Sequence, residues 1–261
     1  MNKRVANALR RFRRPRRQTT KSAPTPASFD EVERAERIFY LEYLRAGMTV
    51  FDVGANVGEL TLLFSRFVGA GGNVHAFEPS VRGFERLSAV RNAASLRNVR
   101  LNHLALAEEE GAVRLYVYDD DYLSWTSRAV RPLEDYGINV KPRTTEDAPA
   151  TTVDLYCERN GVALIDLLKI DVEGAELQVL IGARRALSEK RIRCVTFEFG
   201  QTTFDMGNSP DEIEAYMKEA GYELRNMVEG DPIFPGRESV RTACYSMHVA
   251  TPTAPERAKL L

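Results

Sequence analysis

Five short apolar runs, most of them leading into a stretch with helical spacing, constrain this chain more than any other feature. TVFDVG (49–54) leads into ELTLLFSRF (59–67), and NVHAFEP (73–79) into VRGFERLSAVRNAA (81–94). NVRLNHLAL (98–106) is a third run, DLLKID (166–171) precedes ELQVLIGARRAL (176–187), and RCVTFEFG (193–200) comes before a helix over 210–220. Strands buried on both faces read as near-continuous apolar runs, and strand–helix alternation makes successive strands parallel. The pattern predicts an α/β fold: a mostly parallel sheet with helices on both faces. Strands at 222–228 and 242–250 have no helix between them, which implies an antiparallel pair at one edge. FDEVERAERIFYLEYLRA (29–46) reads as a leading helix and VDLYCERNG (153–161) as a short one. AVRLYVYDD (112–120) alternates like an exposed strand, and 121–150 reads as a long irregular loop of the kind that carries function or is disordered.

In an open parallel sheet, ligands bind beyond the carboxyl ends of the strands, where the strand order reverses. Four of the five runs place a carboxylate there: Asp52, Glu78, Asp171 and Glu198. The first loop, D-V-G-A-N-V-G (52–58), is glycine-rich but lacks the glycine offsets of the dinucleotide fingerprint G-x-G-x-x-G. A carboxylate just before that loop suits an ammonium or sulfonium group better than a pyrophosphate. Glu78 follows at the end of the second strand, where a carboxylate can accept both ribose hydroxyls. Asp52, Gly54, Gly58 and Glu78 together describe a site for a cationic nucleoside, which S-adenosylmethionine fits better than NAD.

LLKIDVEGAELQVL (167–180) poses the sharpest question. Alternation puts Lys169 and Asp171 on one face of the strand, and Leu177, Leu180, Ile181 and Leu187 mark the helix's buried stripe. Asp171 can cap the helix, and Glu173 and Glu176 suit its positive end. Capping does not explain Gly174, which costs about 1 kcal/mol in a helical turn relative to Ala. The glycine predicts that a ligand or packed neighbour approaches the backbone, and that Gly174→Val would impair the site more than the fold.

Read in order, FDVGANVGELTLLFSR, VHAFEPS, NVRLNHLAL, TTVDLYCERNG, LLKIDVEGAELQVLIGA and VTFEFG resemble the FkbM family of S-adenosylmethionine-dependent methyltransferases, from about Thr49 to Gly200. The resemblance implies the class I methyltransferase fold, a seven-stranded Rossmann-like sheet with an antiparallel last strand. It implies O-methylation of a hydroxyl on a saccharide, glycolipid or polyketide-type small molecule. Asp52, Gly54, Asn56 and Gly58 would line the methionine part of the cofactor, Glu78 with Pro79 would hold the ribose, and His103, Leu104 and Ala105 would flank the adenine. The resemblance fades over 119–150 and after Gly200, where acceptor specificity is expected.

Methyl transfer asks the protein to align an acceptor oxygen and take its proton. Asp171 and Glu198 end strands expected to be neighbours, so they could hold a Mg²⁺ that lowers the acceptor's pKa. Alternatively, one of them, or His103, could be the base. Lys169 could act as a base only with a strongly depressed pKa; pairing with a carboxylate is the simpler role. Tyr122, Trp125 and Phe204 are candidates for an aromatic wall facing the acceptor. His75 and His248 fall inside strands and read as core histidines. A nicotinamide oxidoreductase and a non-catalytic binding module of the same fold are the rival readings.

The net charge of −1 over 261 residues hides an asymmetry. Residues 1–29 carry nine Lys/Arg and no acid, leaving 27 basic against 37 acidic residues in the remainder. Residues 1–28 read as a disordered basic arm able to touch an anionic surface, with 29–261 forming one methyltransferase domain. The arm also resembles an organelle transit peptide. The acidic body argues against a nucleic-acid substrate. No apolar run is long enough to span a bilayer, and three widely spaced cysteines fit a reducing, cytoplasmic setting. A homo-oligomer is left open.

Overall fold

The computed structural model describes residues 26–253, so nearly all of the basic arm lies outside them. Ser28 starts α1 (Phe29–Tyr43) with a capping box: its hydroxyl accepts from Glu31 N while the Glu31 carboxylate reaches back to the Ser28 amide. The main sheet of the described residues joins β1 (Thr49–Val53), β2 (Asn73–Phe77), β3 (Val99–Asn102), β7 (Leu167–Ile170), β8 (Val195–Phe199), β9 (Tyr222–Asn226) and β10 (Ser246–Pro252). Their order is β3-β2-β1-β7-β8-β10-β9. The first five are parallel in register, and β10 runs antiparallel to both β8 and β9. This is the Rossmann-like sheet of class I methyltransferases, with its last strand inserted inside the edge.

Alternation along the strands divides the core. Phe51, Leu168 and Phe197 pack on one face, and Val50, Leu167 and Val249 on the other. The first face is covered by α4 (Val153–Asn160), α5 (Glu176–Gly182), α6 (Arg184–Ser188) and α8 (Pro210–Glu219). The second is covered by α1, α2 (Glu59–Val68) and α3 (Val81–Ala93). Strand order reverses between β1 and β7, which fixes where a ligand crevice opens.

Four readings of the sequence need correction. The run 98–106 is two strands: β3 ends at Asn102, whose side chain donates to Ala76 O at 3.1 Å and accepts from the Tyr156 hydroxyl at 3.0 Å. The chain then leaves the main sheet, and β4 (Ala105–Leu106) joins β6 (Thr144–Thr151) and β5 (Gly111–Val117) in a small second sheet. The expected loop 121–150 therefore ends in an eight-residue strand, preceded by 3₁₀ turns at Asp120–Trp125 and Leu133–Tyr136. TTEDAPAT has poor strand propensity, and pairing with β5 overrides it. Pro149 is tolerated because β4 pairs only with Ala150 and Thr151, leaving β6 one partner strand at that point.

The expected helix 176–187 is α5 and α6, broken at Ala183. A Cβ on Gly182 would sit 2.0 Å from Ala107 O, so the break is where the helix presses on β4's continuation. A short helix, α7 (Gln201–Asp205), follows β8 directly and was not legible.

Candidate active site: a cleft between the cofactor loop and an acid cluster

A cleft open to solvent lies at the carboxyl ends of β1, β2 and β7. Gly54 and Asn56 of the first loop, Glu78 and Pro79 after β2, Leu104 and Ala105 of β4's approach, and Asp171 all line it. Six expected cofactor residues therefore converge on one crevice with Asp171.

Gly54 (φ +77°) makes that convergence possible. A Cβ there would fall 1.8 Å from Asp171 O, so the first loop can touch the β7 loop only through a glycine. Asn56, also at positive φ (46°), donates its backbone N–H to Glu78 Oε2 at 2.8 Å. Ser80 N and Oγ donate to Glu78 Oε1 at 2.9 and 2.6 Å. Burial raises the Glu78 pKa, and these donors pull against that rise. The result is a fixed acceptor at the cleft rim.

Asp52 and Gly58 lie behind the cleft rather than on it. Asp52 is fully buried, takes the Thr61 hydroxyl, and sits 3.3 Å from Lys169 Nζ, its neighbour in the β1–β7 register. Gly58 (φ +87°) starts α2 against Leu87. Lys169 Nζ also donates to Gly54 O at 3.1 Å and lies 3.4 Å from Asp171 Oδ2. Burial pulls the Lys169 pKa down, but Asp171, Asp52 and Glu36 outweigh it and the net shift is upward. Lys169 is therefore a fixed cation and not a proton acceptor, which corrects its candidacy as a base.

Asp171 and Glu198, on the adjacent strands β7 and β8, do meet, and Glu173 joins them. One carboxylate oxygen from each lies within 4.8 Å of the other two. Burial and the neighbouring Glu173 and Asp171 push the Glu198 pKa well up. Burial raises Glu173 to about 8, Arg131 opposing and Asp171 adding to the rise. The sequence pattern marks Glu173 only as a favourable charge at a helix start. In fact α5 begins at Glu176, with no side-chain cap, so neither Asp171 nor Glu173 is part of it. Glu173 occupies the left-handed region (φ 54°), which aims its side chain back at the cleft. Glu176 supports this turn: its Oε1 accepts from Val172 N at 3.1 Å and Gly174 N at 3.2 Å.

Other candidates fall elsewhere. His103 is exposed, its ring stacked on Phe84 at 4.5 Å, and does not line the cleft. Tyr122 and Trp125 do meet, rings 4.8 Å apart, in a cluster with Tyr118 and Leu133, while Phe204 packs against the main core; none of the three lines the cleft. His75 and His248 are buried, with burial lowering their pKa to about 4 and about 3. What sequence reading missed is the outer wall of the cleft, Leu123, Ser124 and Thr126–Arg128, from the segment taken for a loop.

The chemistry of this lining can be tested against S-adenosylmethionine. Phe77, Leu104, Leu106, Leu115 and Leu123 offer apolar surface for a purine, Glu78 an anchored acceptor for a ribose diol, and Asp171 a carboxylate for a sulfonium. The residues fit. Fold and cleft together define an S-adenosylmethionine-dependent methyltransferase.

Comparison with known proteins narrows the class. The model of the methyltransferase FkbM domain matches residues 52–224. The chain is 35% identical over 217 residues, 75% of its length and 79% of the relative's, to 31-O-demethyl-FK506 methyltransferase FkbM of Streptomyces tacrolimicus. It is 28% identical to methyltransferase sdnD of Sordaria araneosa, over 70% of this chain and 77% of that one. It is 26% identical to 2-O-methyltransferase NoeI of Sinorhizobium fredii, over 54% of this chain and 60% of that one. The protein belongs to the FkbM methyltransferase family, which sets aside the oxidoreductase reading.

Proposed function

We propose that the protein methylates a hydroxyl oxygen of a saccharide, glycolipid or polyketide-type small molecule, with the acids around Asp171 managing the acceptor proton. Two relatives named for O-methylation support the choice of acceptor atom. The observation that carries the mechanism is the meeting of Asp171, Glu173 and Glu198 beside the cofactor cleft. The cofactor supplies a methyl group already activated on a sulfonium. Glu78 and Asn56 would hold its ribose, and Gly54 and Asp171 its methionine end. Asp171, the cleft-lining acid of the β7–β8 pair and 38% exposed at its side chain, is positioned to receive the acceptor's proton. Lys169 keeps a positive charge beside it.

Three hard oxygen donors so close together also fit Mg²⁺, held by Asp171, Glu173 and Glu198. A divalent ion there would lower the acceptor's pKa. Among the described residues no helix is long and apolar enough to cross a membrane, and Cys157 and Cys194 are free thiols. Both are consistent with a cytoplasmic enzyme, and the nine Lys/Arg of residues 1–29 would favour contact with an anionic surface.

The test is methyl transfer from labelled cofactor to a panel of glycans and polyketides, with wild type and Asp171→Asn, each with chelator or Mg²⁺. Loss of a proton acceptor predicts a drop on the order of 100-fold or more in kcat. Unchanged turnover in the variant would remove Asp171 from the chemistry.

A further inference from the structure

The cleft's outer wall belongs to a segment that several side chains tie to the main body, and one of them reaches the acid turn. Arg131 reaches three groups at once. Its Nη1 donates to Glu173 Oε2 and its Nε to Asp205 Oδ2, both at 3.3 Å, and its guanidinium lies 5.5 Å from the centre of the Trp125 ring. The Arg131 side chain is 11% exposed, Glu173 16% and Asp205 3%, so this is a nearly dry junction. Tyr136, five residues further on, donates its hydroxyl to the other Asp205 oxygen at 2.6 Å. Glu173 belongs to the acid turn after β7, Asp205 ends α7 after β8, and Trp125 sits within the wall itself.

We infer that Arg131 is the positioning residue of this site, tying the wall-forming segment to the two loops that carry the acids. The wall stretch Leu123–Arg128 is held ahead of its first residue by Asp120, which pairs with Arg82 and Arg86 of α3 at 2.6 and 2.8 Å, and at its far end by two arginines. Arg128 makes a two-pronged contact with Glu108 of the small sheet, at 2.7 and 2.9 Å. Arg131 makes the second, and it joins the wall to the acid turn. A planar guanidinium can serve two carboxylates and an aromatic face together, which an ammonium cannot. Wall closure and the placement of Glu173 are thereby one event: the residue that shapes the crevice from outside also aims an acid from below. Glu173 needs such a partner, because its backbone holds a left-handed conformation that costs a non-glycine residue free energy.

The inference rests on the cleft being the cofactor site, but its test does not. Trp125 is the sole tryptophan of the chain and only 7% exposed. Its emission and its quenching by acrylamide therefore report whether the wall is seated. Arg131→Met in the full chain is expected to shift the emission to the red and raise the quenching constant several-fold, while far-UV circular dichroism stays that of the wild type. Arg131→Lys should restore part of the protection. Binding of S-adenosylhomocysteine, read by calorimetry, should weaken about tenfold in Arg131→Met. Should that variant fail to fold, Tyr136→Phe decides by the same readout, with quenching raised about twofold. Trp125 protection equal to wild type in the folded variant would overturn the inference. Unseating of Trp125 with unchanged S-adenosylhomocysteine binding would also sink it, since the wall would then not shape the crevice. If S-adenosylhomocysteine fails to bind wild type, the cofactor reading falls while the Trp125 result still judges the clamp.

Discussion

Lys169 is the cation on which the charge balance beneath the cleft turns. It lies 2% exposed between Asp52 and Asp171 and also holds the carbonyl of Gly54, so one ammonium joins the cofactor loop to the acid turn. Removing one member of a buried ion pair leaves its partner uncompensated, and that asymmetry usually exceeds the pair's own contribution. Lys169→Met keeps the length of the side chain and removes the charge. It is expected to destabilise the fold by about 3–5 kcal/mol, as read from urea unfolding. The companion change Asp52→Asn should recover part of that loss, because it removes the fully buried acid that the missing cation leaves behind. A Lys169→Met protein as stable as wild type would mean that water reaches Asp52 and neutralises the argument from burial.

At the scale of the element, the turn between β7 and α5 shows how far sequence could be read and where it stopped. Gly174 was legible as a point of close approach, but the neighbour is protein: a Cβ there would lie 2.1 Å from Thr202 O in α7, and the backbone is at φ +102°. Gly174→Val therefore injures packing first, the reverse of the sequence expectation. A branched residue forced to positive φ and into a carbonyl is expected to cost about 2–5 kcal/mol. Gly47→Ala is the matched control, since its φ of +88° carries strain but nothing lies within 4 Å, and about 1 kcal/mol is expected there. Thermal unfolding of the two variants separates contact from strain, and equal losses would dismiss the Thr202 contact. The partner was illegible because α7 is five residues long and carries no periodic signal. The same holds for β6, where Glu, Asp and Pro hide a strand made by its pairing with β5. By contrast, Glu78 and Asp171 were readable because strand–helix alternation fixes which residues reach the carboxyl edge, whereas Asp52 lies buried behind the cleft. Glu173 was not, since its role depends on a left-handed backbone that the letters V-E-G do not declare.

Across the whole molecule, the site concentrates more acid than its buried cations can balance, and this should govern stability as a function of pH. Burial raises Glu36 and Glu176 to about 7 and Glu173 to about 8, from an ordinary value near 4.5. Between pH 4.5 and 8 the folded chain therefore binds more protons at these groups than the unfolded chain. Stability from them is fully present below about pH 4.5 and is lost as pH rises through 7 to 8. For Glu176 alone, which is fully buried, the change is on the order of 3 kcal/mol, and Glu176→Gln should remove that share. Melting temperature is thus expected to fall from mildly acidic pH toward pH 8. If Asp171, Glu173 and Glu198 take a divalent cation, Mg²⁺ must bind the folded state and reverse part of that fall at pH 8. Glu198→Gln should abolish the Mg²⁺ effect while leaving the Glu176 share of the pH slope. Two curves decide the matter: melting temperature against pH, with and without Mg²⁺, for wild type and Glu198→Gln. A slope that Mg²⁺ does not touch in wild type would assign these acids to proton transfer alone, and a flat wild-type curve would show that solvent already reaches them.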